Sequence, residues 1–296
     1  MGEGGLTMNY MEKIEARMST REFKKKELSE KQIDSIKKAF LDTMRLDRDI
    51  DVSLEIVGGD AGVRLEGLAG YGGNAFMAPN YLVILSDQKP GYMENTGYLT
   101  EDLILSLTEM GIDCCWITVN DSDYVKTALR IDSMKEITAL VAVGEGKKER
   151  LMKRLDIFNP SNVKYKEREG HVAPKIAQDD IAYYGVWGNP VDWSDTRIAP
   201  QVDHAIYAAS LAPSFLNRQP YRFIFSNKIL VLLAKKEEMV NENDTLLDIG
   251  ATMLNFAAVI RDENGSDGTW HLGVPTTIGD TKKPEEYEIV AWFDLS

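Results

Sequence analysis

Residues 212–220 read Ala212-Pro213-Ser214-Phe215-Leu216-Asn217-Arg218-Gln219-Pro220. The stretch closes a helical run, in which Val202, Ile206, Ala209 and Ser210 share a face, and opens a strand in which Tyr221, Phe223 and Phe225 alternate. A Pro-Ser turn at a helix end, followed by an Asn and a Gln-Pro, crowds side-chain and backbone donors into a few residues. Taken alone it is a helix stop joined to a strand. What it means depends on the rest of the chain.

With 296 residues the chain is long enough for one large or two smaller domains and for a substantial core. Its composition, 44% apolar and 27% charged, is that of a soluble globular protein. A formal charge of −13 argues against general nucleic-acid binding, which needs an excess of Lys and Arg to neutralise phosphates. Cys114 and Cys115 are adjacent, which suits neither a disulfide framework nor a metal site, so they read as buried strand residues in a reducing compartment. The amino terminus shows no signal peptide. No run of about 18 apolar residues is present, so the expectation is a cytoplasmic protein without a membrane span.

The spacing predicts a helix over 28–44, with Ser29 and Gln32 as a capping box and Ile33, Ile36, Phe40 and Met44 on one face. Val52, Leu54 and Ile56, then Val63 and Leu65, alternate around Gly58-Gly59-Asp60-Ala61-Gly62, which reads as a hairpin. Residues 81–85 are a continuous apolar run suited to a buried strand. A helix over 100–110 ends at Gly111, and strands follow at 114–119 and 137–143. The charged stretch 160–175 reads as a linker. Beyond it similar pieces return: a helix over 201–210, a hairpin formed by 221–225 and 229–233, an apolar helix over 246–260 carrying Gly250 and Ala251, and a strand over 287–293. Helix, hairpin, helix and strand thus occur twice, as a diverged internal duplication would give.

Residues 17–23, Arg-Met-Ser-Thr-Arg-Glu-Phe, carry two guanidinium groups and two hydroxyls just ahead of the first long helix. Guanidinium forks bind phosphate oxygens bidentately and hydroxyls add neutral hydrogen bonds, so the segment can make a phosphate site; it can equally be a solvated basic segment that continues into Lys24-Lys25-Lys26. Elsewhere, His171, His204 and His271 lack metal-ligand spacing, and Gly144-Glu-Gly-Lys-Lys lacks the spacing and hydroxyl of a phosphate-cradling loop. No nucleophile elbow is present.

Arg17-x-Ser19-x-Arg21-x-Phe23 before a Ser-capped helix is similar to the opening signature of the nitroreductase family. Pro213-Ser214-x-x-Asn217-x-Gln219-Pro220 resembles the turn that this family places against flavin mononucleotide (FMN). The resemblance implies that Arg17, Ser19 and Arg21 hold the flavin phosphate, ribityl and pyrimidine. It assigns Pro213, Ser214 and Asn217 to the opposing turn. Met18 stands where members often carry a second basic residue. Gly111–Val119 resembles the family's Gly-Leu-Gly-x-x-Trp-Ile segment, which puts Thr118 and Val119 where a backbone group meets flavin N5. Asn74 lies where the family uses an amide on the pyrimidine edge, and Lys153 and Arg154 match by spacing a basic pair that reaches the phosphate.

The two blocks fall in opposite halves. The turn after the first helix reads Arg45-Leu-Asp-Arg-Asp-Ile-Asp, without Pro-Ser, and no Arg-x-Ser-x-Arg precedes the helix over 201–210. Nitroreductases resemble obligate homodimers in which one subunit supplies the Arg and Ser contacts and the other the Pro-Ser turn. One of each block in one chain is what a fused pair with a single surviving site would keep. The chain therefore resembles the fused, single-chain "TM nitroreductase" branch.

The implied fold is α+β: two nitroreductase-like halves, 8–160 and 161–296, with mostly antiparallel sheets flanked by helices, forming a pseudo-dimer. The implied activity is FMN-dependent oxidoreduction, with NADH or NADPH as transient co-substrate and a small electron acceptor such as a nitroaromatic or quinone, by a ping-pong mechanism. No side chain is required as acid or base, because the flavin carries the chemistry. Fusion makes a working monomer plausible. A non-catalytic FMN-binding protein, for storage or sensing, would carry the same binding motifs, and a decayed relative would bind no flavin.

Overall fold

In the computed structural model, Ser29 and Gln32 close the expected capping box: Ser29 Oγ accepts from the Gln32 N–H at 3.3 Å and Gln32 Oε1 from the Ser29 N–H at 3.0 Å. The structure describes residues 8–70, 72–73, 75–147, 173–195, 198–226, 228–236, 241–265 and 268–295, and the backbone of 152–159 and 162–168.

The first half runs α1 (Tyr10–Ala16), α2 (Glu30–Asp42), β1 (Val52–Gly58), α3 (Ala61–Leu65), β2 (Asn80–Ser86), α4 (Tyr92–Glu109), β3 (Asp113–Ile117), α5 (Ser122–Leu129) and β4 (Glu136–Gly144). Its sheet is antiparallel throughout, in the order β1-β2-β4-β3. Gly111, at φ 70°, follows the last turn of α4 in the left-handed conformation expected of it. After β5 (Met152–Asn159) and β6 (Asn162–Arg168) come α6 (Gln178–Ile181), β7 (Ala182–Tyr184), α7 (Pro200–Ser210), β8 (Tyr221–Ser226), β9 (Ile229–Lys235), α8 (Glu242–Asn264), β10 (Trp270–Leu272) and β11 (Tyr287–Asp294). The second sheet has the order β10-β11-β9-β8-β7, with β7 alone parallel to its neighbour.

Two expectations are corrected. Residues 52–65 are not a hairpin: β1 pairs with β2, and Val63 and Leu65 lie on the short helix α3. Two apolar residues two apart fit one helical turn as well as a strand, and the true partner of β1 lies beyond the Gly-rich segment. Residues 160–175 are not simply a linker: β5 and β6 form an antiparallel two-stranded ribbon on either side of 160–161. The high charge of 162–168 masks the alternation of Val163 and Tyr165.

The two larger sheets repeat one topology. In the first half a helix precedes β1 and β2, α4 follows, and β3 and β4 complete the order β1-β2-β4-β3. In the second half α7 precedes β8 and β9, α8 follows, and β10 and β11 complete β8-β9-β11-β10. The molecule is thus a pseudo-dimer of α+β halves.

Between the halves lie α4 and α8, and their mutual contact is the most extensive between any two described elements. Both are buried nearly all round, as a helix covered on every side must be. They exchange side chains: Tyr98 and Leu105 of α4 join the second half's core, built on Phe223, Phe256, Trp270 and Phe293, while Leu247 of α8 packs on the first. Ile14 of α1 also enters the second core, so the amino-terminal arm reaches across the seam. Cys114 and Cys115 are both free and face opposite sides of the first sheet. Among the described residues no helix is long and apolar enough to cross a membrane.

Candidate functional site

The arm that leaves α1 is laid down by backbone pairing. Asn9 and Glu12 cap α1, and Arg17 leaves it in an extended conformation. Ser19 then bridges Cys114 of β3 in parallel, and the Thr20 N–H donates to the Cys114 carbonyl at 2.9 Å. Phe23 bridges Gly146, and the Lys24 N–H donates to the Glu145 carbonyl at 2.8 Å. Arg21 is exposed, its guanidinium carbon 5.9 Å from the centroid of the Phe76 ring. Arg17 turns inward: its Nε lies 3.3 Å from Glu101 Oε1 on α4, with the two side chains 9% and 0% exposed.

The opposing turn is strained. Leu216, Asn217 and Gln219 have φ values of 52°, 56° and 51°, a region that costs a residue with a Cβ about 1–2 kcal/mol. Such strain persists only where surrounding contacts fix it, and the contacts are present. The Gln219 N–H donates to Ser214 Oγ at 2.9 Å, and the Phe215 N–H donates to both carboxylate oxygens of Asp248 at 3.0 and 3.1 Å. Asn217 Nδ2 donates to the Pro174 carbonyl at 2.7 Å, and Gln219 Oε1 accepts from the Ile176 N–H at 2.8 Å. Lys175, between these two pinned residues, donates from Nζ to the Ala212 carbonyl at 2.6 Å.

Arm and turn meet across α4 and α8. Lys175 lies within electrostatic reach of Arg17, Glu101 and Asp248; burial, then the Arg17 charge, hold its ammonium down to about 8. Burial pushes the Glu101 carboxyl up, against the pull of Arg17 first and the Trp116 indole next. That indole N–H, Arg17 Nε and both Glu101 oxygens are buried without a well-formed hydrogen bond. Asp248 is pushed well up by burial, opposed by the Phe215 N–H and Arg218. Asp244, a turn earlier on α8, is pushed up to about 6 by burial, opposed by the Thr118 hydroxyl and Arg218.

Among the residues singled out in the sequence, Arg17, Thr118 and the turn containing Pro213, Ser214 and Asn217 are therefore joined through Glu101, Lys175, Asp244 and Asp248. Val119 bridges Ala69 and lines a cavity of about 40 Å³ shared with Met93, Asp244 and Leu247. Ser19 is fixed on the edge of β3. Arg21 lies over Phe76, whereas Asn217 donates to the Pro174 carbonyl. Lys153 and Arg154 lie on β5, of which the backbone is described, and Asn74 lies outside the described residues. An open groove of about 650 Å³, lined by Asp87, Lys89, Asp121, Lys126 and Glu136 among others, contains none of these residues.

Sequence reading missed Glu101, Lys175, Asp244 and Asp248. A signal existed for Glu101, because Leu99, Leu103, Ile104 and Leu105 surround it on every helical face and leave a carboxylate no solvated side. Nothing distinguishes Lys175 from the other charges of its segment.

The sequence matches, over residues 9–176, the family described as "Putative TM nitroreductase". The chain belongs to this nitroreductase family. A solved structure from Thermotoga maritima MSB8, described as a "putative nitroreductase", matches with a TM-score of 0.60 at 15% identity, covering 100% of this chain and 97% of the other. At that identity the likeness is one of fold, and it extends over both halves of this chain. A nitroreductase family protein from Clostridium novyi NT matches at 18% identity and a TM-score of 0.42, covering 47% of this chain and 87% of its own. An enzyme described as an FMN-dependent nitroreductase, from Clostridium difficile R20291, matches at 21% identity and a TM-score of 0.39, covering 50% of this chain and 91% of its own. Among curated proteins none matches significantly.

Proposed function

We propose that this nitroreductase-family oxidoreductase uses FMN, held at the seam between two duplicated halves, 8–160 and 161–296, to pass reducing equivalents from NADH or NADPH to a small acceptor such as a nitroaromatic or quinone in a ping-pong cycle. The observation that carries the reading is that Arg17, from the amino-terminal arm, lies within electrostatic reach of Lys175, whose ammonium donates to the Ala212 carbonyl at the head of the 212–219 turn.

The residues fit that group. Guanidinium groups at Arg17 and Arg21 and hydroxyls at Ser19 and Ser214 are the donors that a phosphate monoester and a polyhydroxyl chain call for. The strained turn holds backbone groups in a fixed orientation, and Thr118 and Val119 close the opposite side. Bound FMN would supply hydride acceptance and donation at its ring. The chain's own part is to bind and orient: Arg17 neutralises negative charge from below, the arm fixes Ser19 against β3, and the covered helix pair excludes water beneath the site.

The test is an anaerobic titration of the FMN-loaded full chain with NADH and, separately, NADPH. The proposal expects the flavin absorbance near its visible maximum to bleach at one equivalent and to return on adding a quinone. Loaded protein that neither nucleotide bleaches would leave a binding role, in storage or sensing. Protein that takes up no FMN would overturn the reading.

A further inference from the structure

The two larger sheets end differently at matching strands. The Asp87 N–H donates to the Asp51 carbonyl at 3.0 Å at the head of the β1–β2 ladder, and the Lys235 N–H to the Pro220 carbonyl at 2.7 Å at the head of the β8–β9 ladder. Hydrogen-bonded and non-hydrogen-bonded pairs alternate along an antiparallel ladder. The two bonds therefore set one phase: Val52, Leu54 and Ile56 correspond to Tyr221, Phe223 and Phe225, and the backbone groups of all of them point away from the neighbouring strand. The side chains agree, since Leu54 and Ile56 pack on the first half's core and Phe223 and Phe225 in the second's.

On β8 those backbone groups are met by β7. It runs parallel, with Ala182 opposite Phe223 and Tyr184 opposite Phe225, and the Gly185 N–H donates to the Phe225 carbonyl at 2.7 Å. Phe223 and Phe225 are 0% and 2% exposed. On β1 nothing among the described residues stands in that place. β2 is its ladder partner, α2 and α3 pack against it, and Leu54 and Ile56 are only half-buried. The opposite edge of the same sheet, β3, is covered by the arm at Ser19 and Thr20, and the outer strand β10 has three residues. β1 has seven, of which Glu55 alone is charged. A long, mostly apolar edge of this kind is a template for pairing with another chain.

We propose that β1 is the surface through which two copies of this chain associate, by antiparallel pairing of β1 with β1 of the second copy into one continuous sheet. Such a contact is isologous. Charge selects its register. Centred on Leu54, the pairing sets Leu54 opposite Leu54, Val52 opposite Ile56 and Glu55 opposite Ser53 of the second copy. Every outward backbone group of Val52, Leu54 and Ile56 then finds a partner. Moving the centre one residue in either direction sets Glu55 opposite Glu55 or opposite Asp51, and like charges facing across a ladder are destabilising. The later centre also runs into Gly59, whose N–H is already held by Glu27 Oε1 at 2.9 Å. The pairing covers Leu54 and Ile56 as β7 covers Phe223 and Phe225.

The test follows the full-length protein by sedimentation equilibrium from about 1 μM to about 1 mM, together with residue-resolved amide hydrogen exchange. Reversible dimers are expected. Ser53→Glu should weaken them about threefold to thirtyfold, because it meets Glu55 of the other copy at both ends of the pairing. Ser53→Lys should tighten them by a similar factor, and adding Glu55→Lys to Ser53→Glu should restore the wild-type constant. If the Ser53 variants fail to fold, the wild type decides. Exchange at Val52, Leu54 and Ile56 should slow as protein concentration rises, while Ser53, Glu55 and Val57, bonded to β2, stay slow throughout. A protein that is monomeric at every concentration overturns the proposal and leaves the edge to a strand of another protein. Dimers that ignore the charge at position 53, or that leave exchange at Leu54 and Ile56 fast, overturn it as well.

Discussion

Gly97 of α4 and Gly250 of α8 face each other in a reciprocal contact. A methyl group on Gly97 would lie 2.3 Å from the carbonyl oxygen of Leu247, three residues before Gly250; one on Gly250 would lie 2.2 Å from that of Glu94, three residues before Gly97. Such reciprocity is the signature of an isologous interface. It continues two residues before each glycine. Asn95 accepts from the Asp47 N–H at 2.9 Å and Asp248 from the Phe215 N–H, so α4 holds the turn that follows α2 and α8 the turn that follows α7. The two halves are related as subunits of a twofold dimer, with Asp248 on the side that keeps the Pro-Ser turn.

Gly97→Ala or Gly250→Ala should therefore cost about 2–3 kcal/mol or more, because the added methyl meets backbone and the helices must part. Once parted, they leave room for the second methyl. The double variant should cost clearly less than the sum, as measured by chemical denaturation.

Arg17→Met should cost about 3 kcal/mol, since it leaves Glu101 buried without its cation. Adding Glu101→Gln should recover most of the loss. If Arg17→Met were neutral in a denaturant titration, the inward ion pair would not be holding the arm.

Asp244 supplies a pH signature. Its folded value, about 6, is above the ordinary 3.8, so the folded state holds its proton more tightly. The stability this gives is fully present below about pH 4 and is lost as pH rises through 6. Asp244→Asn should flatten the dependence of the thermal midpoint on pH across that window. An unchanged slope would place Asp244 in a better-solvated setting.

Leu216→Gly should stabilise the protein by up to about 1 kcal/mol. Relief of the left-handed conformation, about 1–2 kcal/mol, exceeds the added chain entropy of glycine, about 0.5–1 kcal/mol. Leu216 is 57% exposed, so little burial is lost. Leu216→Val should destabilise. The reverse order in thermal melts would remove the strain from the turn.

Elements whose signals are local were legible in the sequence: the Ser29 cap, the Gly111 stop, the continuous run of β2, and the hairpin of β8 and β9. The pairing of β1 with β2 was not, because it joins strands across the Gly-rich segment. The arm and the turn were legible as blocks of donors. Their connection was not, because it runs through Glu101, Asp248 and Lys175, whose roles depend on two helices being buried from all sides at once. A carboxylate on a helix looks solvated until its neighbours are in place.

The central claim, one flavin site made from two unlike halves, is tested most directly by stoichiometry. The full-length protein is saturated with FMN, freed of unbound flavin and denatured, and the released chromophore is quantified per chain. The account predicts one FMN per chain. Two would mean that both pseudo-equivalent positions still bind, and none would mean that the arm and the turn meet for another purpose.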